Sequence, residues 1–231
     1  MKRALKTIAA VAFVSIGSLP ATAQVTIFFD NLDSKTVGST APGYTFGDVA
    51  NATRTYQSVG VGGSVAALLQ SDFTAPGVGY GGEAFQYQLG NVGGANTSAN
   101  LSSYTLSFDA SVNKAGGGFS LTFQDWANPG FSGAMGSSTD PTEHTIATPN
   151  SFQHFSINLG NFTNGSTPAN PAGQTWQIAF QMDEFTFGTA PTTGNQLIID
   201  NVGITMAPEP SCLALGAFGL LALFRFRKNR Q

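Results

Sequence analysis

The 231-residue chain is poor in cysteine and in charge. Its one cysteine, Cys212, excludes an intramolecular disulfide, so packing, hydrogen bonds or a metal must hold the chain together. Charged residues make up 10% of the sequence, against about 25% in an average soluble protein. The apolar residues between Val25 and Met206 do not follow a helical period. These absences disfavour a helical enzyme, and the 28 glycines and 19 phenylalanines favour a β-rich protein.

Positive charge is scarce in the middle of the chain. Between residues 24 and 206, three basic residues stand against twelve acidic ones, which gives a formal charge of −9. Affinity for nucleic acids depends on Lys and Arg side chains that neutralise phosphates. The sequence therefore predicts no nucleic-acid partner. The acidity is compatible with divalent cations, with neutral glycans or with solubility alone.

The first 23 residues have the pattern of a secretory signal peptide. Lys2, Arg3 and Lys6 supply the positive start, and residues 7–19 form a short, mostly apolar stretch. Ala21 and Ala23 then match the small-x-small cleavage pattern. A retained membrane anchor is the alternative, but the apolar stretch is short and a cleavage site follows it. We expect cleavage after Ala23.

The last 25 residues combine three features in a fixed order. Pro208, Glu209 and Pro210 come first, followed by an uncharged apolar run over residues 211–224. As a helix this run would span about 21 Å, short of the hydrocarbon core of about 30 Å. The run ends in a basic stop, which favours a short membrane helix over a core helix. The basic residues are Arg225, Arg227, Lys228 and Arg230.

This tail, residues 207–231, resembles the PEP-CTERM sorting signal of bacterial envelope and matrix proteins. The same tail is also labelled an ice-binding-protein C-terminal domain, although no repeated threonine array is visible in the sequence. The resemblance implies an exported protein of a Gram-negative bacterium, anchored in the inner membrane as a precursor. It also implies processing near the motif by an exosortase, a membrane protease-transferase. The mature form is then expected at the cell surface or in the extracellular matrix, associated with exopolysaccharide.

Residues 24–206 alternate between apolar and polar side chains, which predicts an antiparallel, jelly-roll-like β-sandwich of nine or ten short strands. In the segment SYTLSFDASV, one face carries Tyr104, Leu106, Phe108 and Ala110. The apolar phase changes after Leu197, which predicts either two covered faces or a bulge near Asn201. Long loops are expected near residues 89–101 and 125–150.

The order of features in this part loosely resembles jelly-roll carbohydrate-binding modules of the galactose-binding-like type. The matching features are an acidic residue that ends the first strand, a central Y-x-L-x-F-x-A strand and a closing Ile-Asp-Asn-Val. The resemblance implies a structural calcium ion between the first and last strands, with Asp30 and Asp200 as ligands. Asn31, Asp33 and Asn201 lie nearby in the sequence. The alternative is that both aspartates only cap turns.

Glycan binding needs aromatic faces for sugar rings and polar groups for hydroxyls. Tyr80, Tyr87, Trp126 and Trp176 are candidates by residue type. Trp176 is in phase with core residues, so we expect it in the core. Trp126 lies where a strand gives way to a loop, and we predict it as the ligand-binding residue. The alternative is that Trp126 pins the edge of the sandwich.

Signals of catalysis are weak. His144 and His154 are not part of an H-E-x-x-H motif, and no G-x-S-x-G motif occurs. Asp183 and Glu184 are adjacent, so on a strand they point to opposite faces and cannot flank one cleft. We therefore interpret the chain as a non-catalytic surface or matrix protein. The alternatives are a glycan-binding module and, third, a secreted hydrolase.

Overall fold

The computed structural model describes residues 25–73, 81–90, 103–126, 134–139, 143–161, 175–183, 185–187 and 192–206. Within these ranges, the side chains at 88–90, 123–126, 134–139, 161, 175–176 and 192 are outside the description. The expected signal peptide and C-terminal tail also fall outside it and stay predictions. Over the ranges given above, the chain forms no helix with the length and apolarity that a membrane crossing requires.

The described residues form twelve strands in two antiparallel sheets, which confirms the predicted β-sandwich. Sheet 1 has the order β10-β6-β12-β4-β3, and β1 pairs with the end of β12. Sheet 2 has the order β2-β5-β11-β7-β8, and the short β9 pairs with β7. The strands are β1 Val25–Asp30, β2 Gly43–Gly47, β3 Val49–Gln57, β4 Ala66–Phe73, β5 Gly81–Gly90, β6 Tyr104–Val112, β7 Gly118–Trp126, β8 Ala134–Thr139, β9 His144–Thr145, β10 Gln153–Asn158, β11 Thr175–Asp183 and β12 Thr192–Met206.

The core lies between the two sheets because every second side chain of the central strands is apolar. Phe108, on β6 of sheet 1, is its centre. Its ring lies 4.9 Å from that of Phe180 and 5.4 Å from that of Phe119, both on sheet 2, and 5.3 Å from that of Phe155 on β10. The rings of Phe119 and Phe180 meet it edge to face and that of Phe155 stacks on it, and aromatic pairs in such arrangements add to the free energy of simple burial. The alternation of SYTLSFDASV therefore identified the inner face of β6 correctly.

A bulge interrupts β12 where the sequence changes phase. The register of β12 against β6 shifts between Asp200 and Gly203, and Asn201 has a left-handed φ of 52°. Leu197 and Ile199 are buried before the bulge, and Val202 and Ile204 are buried after it. Of the two predicted explanations for the change of phase, the bulge near Asn201 is the one that the structure has.

Three strands were not predicted. β2 is short and begins and ends with glycine, and β9 has two residues, so neither shows a readable alternation. β8, with the sequence AMGSST, lies inside the loop expected near residues 125–150. Its polar and small residues carry no strand signal of their own. All three are held by backbone pairing to a neighbour, β5 in one case and β7 in two.

Two polar contacts connect the sheets across the interior. Glu83 on β5 is fully buried and accepts hydrogen bonds from Arg54 on β3 and, at 2.6 Å, from Thr45 Oγ1 on β2. Burial raises the pKa of Glu83, and the bonds from Thr45 and Arg54 offset only part of that rise. At the other contact, the Tyr87 hydroxyl on β5 donates to Asp30 on β1. Each contact joins a strand of one sheet to a strand of the other.

Candidate functional site

Asp30, a predicted calcium ligand, has three donors around its carboxylate. The backbone N–H of Leu32 donates to Oδ1 at 2.7 Å, and the Lys35 ammonium lies 3.2 Å from Oδ2, which also accepts from Tyr87. Burial alone would raise the pKa of Asp30, but the bonds from Tyr87, Leu32 and Lys35 outweigh it and lower the pKa. The bond from Tyr87 joins β1 to sheet 2, so Asp30 has a structural role in holding the two sheets together.

Asp200, the second predicted ligand, is fully buried and is also surrounded by donors. Its Oδ2 accepts from Val61 N at 2.9 Å and from Ser64 Oγ at 2.8 Å, and its Oδ1 accepts from Asn201 N at 2.7 Å. Within the described ranges, no three His, Cys, Asp or Glu side chains come together as metal ligands. Oxygens that already accept protein N–H and O–H groups fit a calcium ion poorly. The calcium site stays a prediction.

The structure corrects one predicted aromatic candidate and leaves three untested. Tyr87 is buried, faces the core and bonds Asp30, so it cannot stack on a sugar. Tyr80 lies outside the described residues, as do the side chains of Trp126 and Trp176. Trp126 is the last residue of β7, opposite Thr175, and shares the strand parity of Ser120 and Thr122.

The two histidines lie at different places in sheet 1 and sheet 2. His144 on β9 stacks on the ring of Phe119 at 5.2 Å. His154 on β10 is exposed, and its Nδ1 lies 2.8 Å from Asp109 Oδ1. Asp183 accepts from the backbone N–H groups of Phe185 and Thr186, which caps a turn. These contacts bring together none of the groups that were considered for catalysis.

The outward side of sheet 2 carries a connected set of neutral polar and aromatic side chains, which we call the amide face. One cross-strand row runs Tyr44, Ala84, Gln181, Ser120 over β2, β5, β11 and β7. Gln181 Nε2 donates to the Tyr44 hydroxyl at 2.5 Å, across the fully buried Ala84. Its Oε1 is 3.4 Å from both Ser120 Oγ and Thr122 Oγ1. The amide face consists of Tyr44, Phe46, Gln86, Gln181, Ser120 and Thr122.

Phe46 lies flat on the sheet because its neighbour on β5 is a glycine. A Cβ atom on Gly82 would come within 2.4 Å of Phe46 Cζ and 2.6 Å of the Met182 carbonyl oxygen. The Phe46 ring lies 5.8 Å from the ring of Tyr44. Both side chains are partly exposed. The edge strand β2 therefore supplies two adjacent aromatic rings beside the glutamines.

Gln86 is the least satisfied member of the amide face. It lies in the next row, beside Ala179 and then Thr122. No acceptor among the described residues lies within hydrogen-bond distance of its Nε2 atom, which is buried. A buried amide donor without a partner costs about 1–3 kcal/mol. A ligand oxygen would remove that cost once neighbouring side chains move aside and expose Nε2.

Sequence reasoning missed this face, although a signal for it was present. The segments EAFQYQL and WQIAFQM each place two glutamines on one side of the strand, two residues apart in the first and four in the second, in phase opposite to the core residues. Gln86, Gln177 and Gln181 follow this pattern. Glutamine is an ordinary outward residue on a sheet, so the pattern gained meaning only when the pairing of β5 with β11 brought the two segments side by side.

No protein-family model matches the chain, and no curated protein matches its sequence. Solved structures that align with it include the family 30 carbohydrate-binding module of a cellulosomal cellulase of Clostridium thermocellum. That alignment has 17% identity, covers 81% of this chain and 99% of the module, and has a TM-score of 0.49. A family 11 carbohydrate-binding module from the same organism, in complex with a mixed-linked tetrasaccharide, has 12% identity, coverages of 80% and 95%, and a TM-score of 0.45. A xylan-binding domain from Paenibacillus barcinonensis has 8% identity, coverages of 82% and 99%, and a TM-score of 0.43.

Proposed function

We propose that this protein is a non-catalytic glycan-binding domain and that the amide face is its binding site. Ligand sites combine apolar and aromatic surface with a few placed polar groups. A sugar ring offers both complements, because its C–H groups pack on aromatic rings and its hydroxyls bond amide and hydroxyl side chains. Tyr44 and Phe46 supply the rings, and Gln86 and Gln181 supply the amides. The unpartnered Nε2 of Gln86 is the observation that carries the proposal.

The charges of the site support a neutral glycan. All six side chains of the amide face are uncharged. Asp183 lies at the end of the same side of β11, but backbone N–H groups occupy its carboxylate. The described and undescribed residues between 24 and 206 together have a formal charge of −9. An acidic domain repels polyanions such as uronate-rich or sulfated polysaccharides at low ionic strength.

We further propose that the domain acts outside the cell, as an exosortase-processed surface or matrix protein. The support is in the sequence at the two ends: the signal-like first 23 residues and the Pro208-Glu209-Pro210 tail with its basic end. Mass spectrometry of the protein from cell envelope and medium tests this. We expect a form that lacks both ends. An uncut chain recovered from the cytosol would contradict it.

Affinity electrophoresis in gels that contain soluble neutral glucans, xylans or galactans tests the binding site. We expect retardation of residues 24–206 in at least one neutral gel, with weaker or no retardation in alginate. Tyr44→Ala and Gln181→Ala should each weaken binding about tenfold, which corresponds to about 1.4 kcal/mol. Trp126→Ala belongs in the same series, since position 126 has the strand parity of Ser120 and Thr122.

Thr53→Ala is the matched control, because Thr53 is exposed on β3 of the opposite sheet. Circular dichroism confirms that each variant is folded. The proposal is wrong if the folded parent is retarded by none of these polysaccharides, or if the Tyr44 and Gln181 variants migrate as the parent does.

A further inference from the structure

The outward side of sheet 1 carries a second set of hydroxyl and amide side chains, which we call the hydroxyl face. It spans the four adjacent strands β10, β6, β12 and β1, and the pairing aligns its residues in three rows. The first row is Asn158, Thr105, Thr205 and Thr26; the second is Ser156, Ser107, Gly203 and Phe29; the third is His154, Asp109 and, after the β12 bulge, Asn201.

Phe29 places an exposed aromatic ring among these polar side chains. It is 60% exposed, although its neighbour Phe28 packs against the core. A Cβ atom on Gly203 would lie 3.2 Å from Phe29 Cδ2 and 3.2 Å from Ser107 Oγ. The ring therefore borders the bare backbone of Gly203, with the Ser107 hydroxyl on the other side. An aromatic ring next to a hydroxyl is the pairing that a sugar ring requires.

A polar cluster lies in the adjacent row. Asp109 Oδ1 is 2.8 Å from His154 Nδ1, and Asp109 Oδ2 accepts from Asn201 Nδ2 at 2.7 Å. These contacts fix the orientation of the carboxylate. Each carboxylate oxygen has a second lone pair, so Asp109 can still accept hydrogen bonds from ligand hydroxyls. Asn201 has a second Nδ2–H to donate beside it, and His154, whose Nδ1 faces Asp109, presents Nε2 as an acceptor when the ring is neutral.

The charges again fit an uncharged ligand rich in hydroxyls. In the three rows, Asp109 and His154 are the only ionisable side chains, and they contact each other. No lysine or arginine stands in these rows to attract a phosphate, a sulfate or a uronate. Exposure of Phe29 and His154 leaves the face open to a polymer chain.

We propose that the hydroxyl face is a second neutral-glycan site and that the domain cross-links polysaccharide chains. The inference rests on the proposed function for its first site, the amide face. The two sheets pack through their inner faces, so the two outward faces point in opposite directions. Two such faces cannot hold one straight chain, but they can hold two chains on opposite sides of one molecule.

Stoichiometry and cross-linking test the proposal on residues 24–206. The probe is an oligosaccharide of the neutral polysaccharide that binds best in the gels, titrated by calorimetry. We expect two molecules bound per domain in the parent, and in Phe29→Ala and in Tyr44→Ala one molecule at the parent's affinity and a second about tenfold weaker. The parent should raise the turbidity or viscosity of the soluble polysaccharide, and either single variant should need about ten times more protein for the same rise.

Phe185→Ala is the matched control, because Phe185 is 58% exposed but lies on the turn after β11. Asp109→Asn keeps the shape of the side chain and should weaken the Phe29-side site alone. A parent that binds one molecule, or a Phe29→Ala variant that cross-links as the parent does, overturns the second site. If Tyr44→Ala changes nothing while Phe29→Ala weakens all binding, the amide face fails and the hydroxyl face stands. If no sugar binds, both fail.

Discussion

Arg54 and Glu83 form an ion pair inside the sandwich. Glu83 has no exposed surface, and the exposed fraction of the Arg54 side chain is 17%. Removing one member of a buried pair leaves the other charge uncompensated, which typically costs about 3–5 kcal/mol. Replacing one member of the pair should therefore lower the stability of the protein more than replacing both members.

Arg54→Met should lower the free energy of unfolding by about 3 kcal/mol at pH 8. Burial already raises the pKa of Glu83 above its ordinary value of 4.5, and loss of Arg54 raises it further. A raised carboxyl pKa means that the folded state binds the proton more tightly, so stability falls as pH rises from 4.5 through the folded-state pKa. Urea denaturation at pH 4 and pH 8 should show the smaller loss at pH 4.

The double variant Arg54→Met/Glu83→Gln is the control for this prediction. It has no carboxylate at position 83, so its stability should be closer to that of the parent, and the extra loss at pH 8 should disappear. A loss in Arg54→Met that is the same at both pH values would show that packing of the arginine stem, and not the charge of Glu83, decides the effect.

For single residues, the sequence predicts burial well, but it predicts poorly which other side chains a residue contacts. Phe108 and Leu106 were identified by alternation, and both are buried. The residue type of Tyr87 predicts ligand stacking, but the structure buries its ring. Its partner Asp30 lies 57 residues away in the sequence, and only the packing of β1 on sheet 2 brings them together.

The β12 bulge fixes the turn between β3 and β4. Asp200 lies at the bulge and bonds Val61 N and Ser64 Oγ, so it holds the turn between β3 and β4 against sheet 1. A Cβ atom on Gly60 would lie 2.5 Å from Asp200 Oδ2, so the turn approaches the carboxylate closely. Bulges often redirect a side chain in this way.

Asp200→Ala should lower the free energy of unfolding by about 3 kcal/mol, since bonds to a charged group contribute about 1.5–3 kcal/mol each and the freed donors are partly buried. Differential scanning calorimetry with and without EDTA separates this role from a metal. If calcium binds here, EDTA should lower the melting temperature of the parent, and Asp200→Ala should remove the effect of EDTA.

If no calcium binds, the calorimetry with EDTA gives a different result. An unchanged melting temperature of the parent in EDTA would discard the calcium prediction. The effect of Asp200→Ala would then come from the three hydrogen bonds alone. Thr53→Ala is a suitable control, because Thr53 is exposed on β3 and is not among the oxygen donors considered for the calcium site.

Strand prediction succeeded for elements that carry their own pattern and failed for those that depend on a neighbour. β6 and the early part of β7 alternate clearly, and both were predicted. β2 has only three residues between two glycines, and β8 consists mostly of small and polar residues, so both exist as strands through pairing to β5 and β7. The amide face includes two residues of β2, which is why it could not be assembled from the sequence.

For the molecule as a whole, we expect the aromatic rings around Phe108 to make a large contribution to the free energy of unfolding. Phe108→Ala should cost about 3–5 kcal/mol, because its ring contacts rings of both sheets and its loss leaves a cavity. Phe29→Ala, which removes a ring of the same size from an exposed position, should change stability by about 0.5 kcal/mol or less. Chemical denaturation of both variants provides the comparison, and equal losses would contradict the described core.

The pairing of the first described strand with the last has a practical consequence. Val25 lies directly opposite Met206 in the antiparallel ladder, so these two positions are neighbours in space. A short linker from Met206 to Val25 would therefore close the chain into a ring without disturbing either sheet. New ends could then be opened in the exposed turn around Gly116, and such a circular permutant should fold to the same sandwich with both outward faces unobstructed.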